Sequence, residues 1–311
     1  MLDKIVAKFG GIRYIYPLTP LPIKTKAFVA LTRPLTAIGG FVAGMALTLF
    51  ASLYFHASFS IFTAILVGFC LSILHGAAQA LNQCLTEEIE IDRINKPYRP
   101  LVQGIITQGE AQFFVAVLFA IALAIAWFIK PIFVIWIGVI MFFSIFYTMP
   151  PLRVKRYFIL SNVWQGIARG YLPVVGVFSI YNSHFSLFAS AFGFVVGMWI
   201  TGGQASKDVG DIEGDRKYGI HTLFTVMSLD DALDSMLVTM VASFFFLLLF
   251  ICIDILPLSF TLLLVLIVPS YAIVHVMDRS TRLAENNYGW LIFYSTLALW
   301  YLLPALILTI F

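Results

Sequence analysis

Charge is what this sequence has least of. Asp, Glu, Lys and Arg make up 11% of its 311 residues, under half of the roughly 25% usual in a soluble domain. With 61% of residues hydrophobic, the chain lacks the polar surface to dissolve as a globule. Cysteine is scarce too. Cys70, Cys84 and Cys252 are scattered, form no CxxC pair and leave an odd number, so neither a disulfide framework nor a zinc site is signalled. A net charge of +3 is too small to imply nucleic acid as a partner. A cleaved signal peptide is not expected: residues 1–26 mix charges with Gly10, Gly11, Pro17, Pro20 and Pro22, and the first apolar run is too long for a signal core.

What the chain has in abundance is long apolar runs, each near the ~20 residues that carry a helix across a bilayer core. They are continuous rather than alternating, which argues against a transmembrane β-barrel. Nine spans are predicted: Leu35–Leu53, Phe59–Cys84, Ala111–Ile129, Ile132–Tyr147, Ile159–Ile180, Phe185–Gly203, Ala232–Cys252, Leu258–Met277 and Trp290–Phe311. The third and fourth meet at Lys130-Pro131, where proline ends one helix and can begin the next. The fold class is therefore all-α, a multi-pass membrane bundle.

The basic residues test this topology independently. Lys4, Lys8, Arg13, Lys24, Lys26 and Arg33 precede the first span. Arg93, Lys96 and Arg99 follow the second, and Arg153, Lys155 and Arg156 follow the fourth. Lys207, Arg216 and Lys217 follow the sixth, and Arg279 and Arg282 follow the eighth. All of these fall on one face; only Lys130 is on the other, and Arg169 lies within span five. The positive-inside rule then makes the N-terminus and the even-numbered loops cytoplasmic.

The chain reads as one domain, 1–311, with an interfacial N-terminal segment 1–34 and two long loops on the charged face, 85–110 and 204–231. Each loop follows the second helix of a four-helix set, which suggests a quasi-repeat with a ninth helix added. Long loops with chemistry of their own usually carry function on a rigid scaffold. The first contains Glu87, Glu88, Glu90 and Asp92. On a continuing helix Glu88 and Asp92 fall one turn apart on one face. Like charges so placed call for a cation between them, and magnesium, a hard ion that takes carboxylates together with substrate phosphate oxygens, is the natural one. In the second loop Gln204, Asp208, Asp211 and Asp215 share a helical face, while Gly210 and Gly214 weaken the helix and favour a partly unwound turn. Lys207, Arg216 and Lys217 flank those acids, as a metal-bound diphosphate requires: carboxylates for the metal, cations for the remaining oxygens. Read as mere solvated charge, one such cluster would be unremarked; two at equivalent places against spans are not.

The segments NQ…EIEIDRINKPYRP (Asn82–Pro100) and KDVGDIEGDRKYGIHTL (Lys207–Leu223) resemble the UbiA superfamily of intramembrane prenyltransferases. Arg33-Pro34 before the first span, the stretch Tyr147 to Lys155 closing the fourth, and Asn162 early in the fifth add to the resemblance, which covers the whole chain. It implies about nine helices around a central cavity under a polar cap, where the two motifs bind an isoprenyl diphosphate through Mg2+ and the prenyl chain passes to an acceptor, an aromatic quinone precursor or a glycerol-phosphate lipid. Metal-ligand positions then fall on Glu88, Asp92, Asp208, Asp211 and Asp215. Asp92, Asp208, Asp215 and Lys155 take catalytic places, and Asn82, Arg93, Tyr147, Arg153, Lys207 and Asn162 take substrate-contact places. One departure is clear. The family's Asn lies four residues before the first acid, whereas Asn82 lies six before Glu88. Anchoring on Asn82 would move the acid places to Thr86 and Glu90. The longer downstream match keeps Glu88 and Asp92 and puts Cys84 in the Asn place, with a π-bulge or an unwound turn absorbing the two residues. The usual Ser-Gly after KPxRP is replaced by Leu101-Val102-Gln103-Gly104.

Two lesser features stand inside the spans. His75 lies seven residues before Asn82 on the same helical face, and Asn162, Gln165 and Arg169 form a polar stripe on span five. A terpene cyclase of the same superfamily is the alternative within the fold. A transporter is the alternative from another class, but it expects ionisable residues deep in several spans, and apart from Arg169 and His75 there are almost none. Membrane lipid is the expected surrounding, and the oligomeric state is left open.

Overall fold

Helix is the only regular structure in the computed structural model, which describes residues 21–278 and 288–310. In hydrocarbon every backbone N–H and C=O must be satisfied within the segment, which helices achieve. A short α1 (Ile23–Leu31) precedes α2 (Pro34–Tyr54), α3 (Ile61–Leu81), α4 (Thr86–Asn95), α5 (Gln108–Ile129) and α6 (Pro131–Thr148). Next come α7 (Leu160–Gly166), a π-helical turn (Ile167–Tyr171) and α8 (Leu172–Tyr181), run end to end as one interrupted span. Then follow α9 (Leu187–Gly203), α10 (Ile212–Lys217), α11 (Leu223–Val226), α12 (Leu229–Cys252), α13 (Ile267–Asp278) and α14 (Tyr288–Ile310). Among the described residues eight helical runs are long and apolar enough to cross a membrane, two of them lengthened by 3-10 turns: α9 continues to Gly210, and a 3-10 stretch (Leu258–Leu266) leads into α13. The expected fifth span is the one divided by the π turn. Lys4, Lys8, Arg13, Arg279 and Arg282, part of the charge asymmetry, lie outside the described residues.

Local chemistry sets the helix ends. Ser60, Ser186 and Ser228 each accept a hydrogen bond from a first-turn backbone N–H of α3, α9 and α12, and Thr107 with Glu110 forms a capping box on α5. At the third-to-fourth join, Lys130 is extended and Pro131 opens α6. The Lys130 ammonium donates to the Ile180 carbonyl at 2.7 Å, satisfying an orphan at the end of α8.

Each spanning helix packs on the one before it, and α14 returns to α2, closing a ring. Small residues permit the closest approaches. A Cβ on Gly44 of α2 would lie 2.8 Å from the Gly68 Cα of α3, and one on Gly170 would lie 2.6 Å from the Gly197 Cα of α9. Large apolar side chains such as Phe113 and Phe128 point outward, while Trp199, Phe293 and Trp300 are buried. The ring encloses a central cavity, and the two acidic segments lie over one end of it.

Candidate active site

The first acidic segment begins where α3 stops. Asn82 caps the C-terminus of α3, residues 83–85 turn, and α4 starts at Thr86. The break between the two helices is an unwound turn and not a π-bulge. Asn82 and the pair Glu88 and Asp92 all line the same cleft, whereas Cys84 is buried against the Ala80 carbonyl and Thr86 turns to Gln108. Helix α4 is amphipathic: Glu88, Ile91 and Asp92 face inward, while Arg93 and Glu90 pair at 3.4 Å on the outer side. Arg93 thus stands away from the cleft, the physical result of a 100° step per residue that places it beyond Asp92.

The second segment tightens from α9 into a 3-10 helix (Gln204–Gly210), breaks at Asp211 and resumes as α10. Asp208, Asp211 and Asp215 all face the cleft. Helices α4 and α10 pack together. Asn95 joins them, donating to the Asp211 carbonyl at 3.0 Å and accepting from the Gly214 N–H at 2.9 Å.

Five carboxylates (Glu88, Asp92, Asp208, Asp211, Asp215) and five cations (Arg33, Lys96, Arg99, Lys155, Lys207) line this cleft. Glu88, Asp92, Asp208 and Asp215 expose only 4–7% of their surface, so none is a solvated surface charge. Arg99 bonds Asp92 at 2.5 Å, Lys96 bonds Asp211 Oδ2 at 2.6 Å, and Lys207 reaches Asp208 and the Tyr147 hydroxyl, each at 2.9 Å. Glu88 is held by Lys155 and by Arg153, the latter at 2.9 Å, and Arg153 and Arg156 both grip Glu87. Asp215 differs, with no ion pair among the described residues. Burial, with the neighbouring charges of Asp211 and Asp208, pushes its carboxyl up to about 8 against the pull of Lys155 and Lys96.

Those observations test whether a divalent cation fits. Among the described residues no three carboxylates converge on one point. A magnesium site needs only one or two of them, the rest of its shell being water and phosphate oxygen. The donors are hard oxygens, and Asp215 is a buried acid with no ion-pair partner among the described residues. The residues fit.

The cleft opens inward. Arg33, Asn82, Tyr147 and Lys207 line both it and a middle chamber, and His75, Arg169 and Gln204 line both the middle chamber and a lower, more apolar one walled by Leu71, Pro173, Phe293 and Leu297. Asn82 also accepts from the Thr148 hydroxyl at 3.1 Å. Asn162 is buried in α7 but is not among the residues lining these chambers, whereas Gln165 and Arg169 of the same stripe are. Arg153 stands behind Glu88.

A polar cleft over an apolar ring cavity has known counterparts. The model of the UbiA prenyltransferase family matches residues 36–297. The chain belongs to this family. Homogentisate phytyltransferase of Synechocystis sp. is 28% identical over 149 residues, 44% of this chain and 46% of that protein. Digeranylgeranylglyceryl phosphate synthase of Thermococcus kodakarensis is 26% identical over 201 residues, 64% and 68% of the two chains. The match thus spans about half the length of the phytyltransferase. A UbiA homologue from Archaeoglobus fulgidus bound to GPP and Mg2+ shares the fold at TM-score 0.70 and 17% identity, over 92% of this chain and 100% of that one. A digeranylgeranylglyceryl phosphate synthase structure does so at TM-score 0.61 and 22% identity, covering 91% of this chain.

Several residues of this UbiA-family cleft carried no role in the sequence reading. Lys96 and Arg99 stand in the quoted first motif, and their basic character was the available signal. Arg33, which donates to Gln79 at 3.1 Å, stood out only as a motif match. Asn95 had no signal, because its partners lie in the other segment.

Proposed function

We propose that the chain catalyses magnesium-dependent transfer of a prenyl group from an isoprenyl diphosphate to an acceptor inside the membrane, with the cleft on the cytoplasmic side. The observation that carries this reading is the balance of the cleft: five carboxylates, four of them buried, interleaved with five cations over a chamber that turns apolar with depth. A charge-balanced site holds neither a bare polyanion nor a bare cation well, but it suits the nearly neutral pair of diphosphate and divalent metal. Homogentisate phytyltransferase and digeranylgeranylglyceryl phosphate synthase, the relatives named above, lend the activity further support. The bias of basic residues to the cleft side supports the orientation.

In this reading Glu88, Asp92, Asp208, Asp211 and Asp215 hold the metal, which supplies Lewis-acid neutralisation of the leaving diphosphate. Lys96, Arg99, Lys155 and Lys207 grip the diphosphate oxygens. Arg153 orients Glu88 from behind. Tyr147 and Asn82 stand at the neck, where the allylic carbon would leave the polar cleft for the chamber. There the C–O bond breaks, its electron pair leaves with the diphosphate, and the acceptor forms the new bond and gives up a proton. The lower, more apolar chamber keeps water from the allylic cation.

The test is to incubate purified protein in nanodiscs with labelled geranylgeranyl diphosphate, magnesium and homogentisate or a mono-prenylated glyceryl phosphate. A prenylated acceptor, abolished by EDTA, is expected. A cyclic hydrocarbon formed from the diphosphate alone would instead assign a terpene cyclase.

A further inference from the structure

Arg169 is a basic residue set inside a spanning segment, and nothing in the diphosphate cleft uses it. It stands in the π turn Ile167–Tyr171, a deviation that appears often at functional sites. The turn is fixed from behind: a Cβ on Gly166 would meet the Gly197 carbonyl at 2.4 Å, and one on Gly170 the Gly197 Cα at 2.6 Å. Its side chain lines the middle and lower chambers.

A structural role would give Arg169 a carboxylate partner, and among the described residues it has none. Its side-chain hydrogen bond among the described residues is a long one, 3.4 Å to the Tyr294 hydroxyl, and a guanidinium has five N–H groups to place. Among the described residues no Asp or Glu lines either chamber, although Arg33, His75, Lys207 and Arg169 line the middle one. His75 supplies a second, independent observation. Its Nδ1 face fits against α2 because position 40 is Gly, where a Cβ would lie 2.7 Å away. Its Nε2 is buried with no hydrogen-bond partner. An unpaired cation and an orphaned ring nitrogen in one chamber at membrane depth mark a ligand group.

We infer that Arg169, with His75 beside it, is the anchoring site for an anionic group of the prenyl acceptor, so that the acceptor is a carboxylate or a phosphate rather than a neutral molecule. This rests on the prenyl-transfer reading. An uncompensated guanidinium below the cleft would repel the allylic cation that leaves it. A bound carboxylate or phosphate removes that repulsion and holds the acceptor between cleft and apolar chamber. Guanidinium offers the bidentate geometry either anion takes.

The experiment measures acceptor and donor KM separately for the parent protein, R169Q and R169K in nanodiscs. The probes are homogentisate and a mono-prenylated glyceryl phosphate, each beside its neutral counterpart, the methyl ester and the prenylglycerol. Whichever anion serves as acceptor identifies its source. For that anion, R169Q is expected to raise the acceptor KM at least tenfold with donor KM within twofold, R169K to recover part of the loss, and the neutral counterpart to bind the parent at least tenfold more weakly by calorimetry. An unchanged acceptor KM in R169Q, or equal use of the neutral counterpart by the parent, overturns the anion site and leaves prenyl transfer standing. Failure of the parent to release diphosphate from any prenyl diphosphate overturns both.

Discussion

The Asn95 carboxamide bridges to Gly214 and Asp211 of the other acidic segment, accepting from one backbone N–H at 2.9 Å and donating to one carbonyl at 3.0 Å. Together with the Lys96–Asp211 ion pair, this side chain ties the two sets of carboxylates together. Asn95→Ala removes both bonds, a loss of about 1–3 kcal/mol, and is expected to weaken diphosphate binding more than it lowers the thermal midpoint. Gly214→Ala presses from the other side, since its Cβ would lie 2.5 Å from the Asn95 Nδ2. Diphosphate affinity measured by calorimetry should fall at least tenfold in both variants.

Asp92→Ala and Asp215→Ala should each abolish turnover while the helical circular-dichroism spectrum stays as in the parent protein. Full activity in either would count against the carboxylate site.

The carboxyl of Asp215 also makes the cleft pH-sensitive. Its folded value of about 8 stands above the ordinary 3.8, so between those pH values the folded protein holds a proton that the unfolded chain has released. Stability from this group is complete below about pH 4 and is lost as pH rises towards 8. The metal-free thermal midpoint should fall from pH 5 to pH 9, and Asp215→Asn should flatten that decline. Binding of magnesium with diphosphate at pH 7 should release a proton, read by calorimetry in buffers of different ionisation enthalpy.

Arg153 touches both Glu87 and Glu88. Arg153→Ala leaves Lys155 on Glu88 and Arg156 on Glu87. The expected cost is on the order of 1–3 kcal/mol, with a lower kcat from a misplaced Glu88. Arg93→Ala, on the outer side of α4, should keep turnover within twofold.

Much of this protein was decided by its one-dimensional pattern. Apolar runs of about twenty residues determine where helices cross, because an unpaired backbone group in hydrocarbon is too unfavourable to permit anything else. Pro131, Ser60 and Thr107 set helix ends through contacts a few residues away, and the two acidic motifs show as dense charge in a chain that has little. Only the tertiary structure decided how those motifs work. The turn at 83–85 brings Asn82, Glu88 and Asp92 to one cleft and sends Arg93 outward. The pairings of Lys96 with Asp211 and of Asn95 with Gly214 join residues 115 and 119 positions apart. The chamber beneath, with Arg169 and His75 in its wall, exists only once α14 closes on α2. Contacts between distant segments depend on helix rotation and depth, and neither is written in the spacing of a single segment.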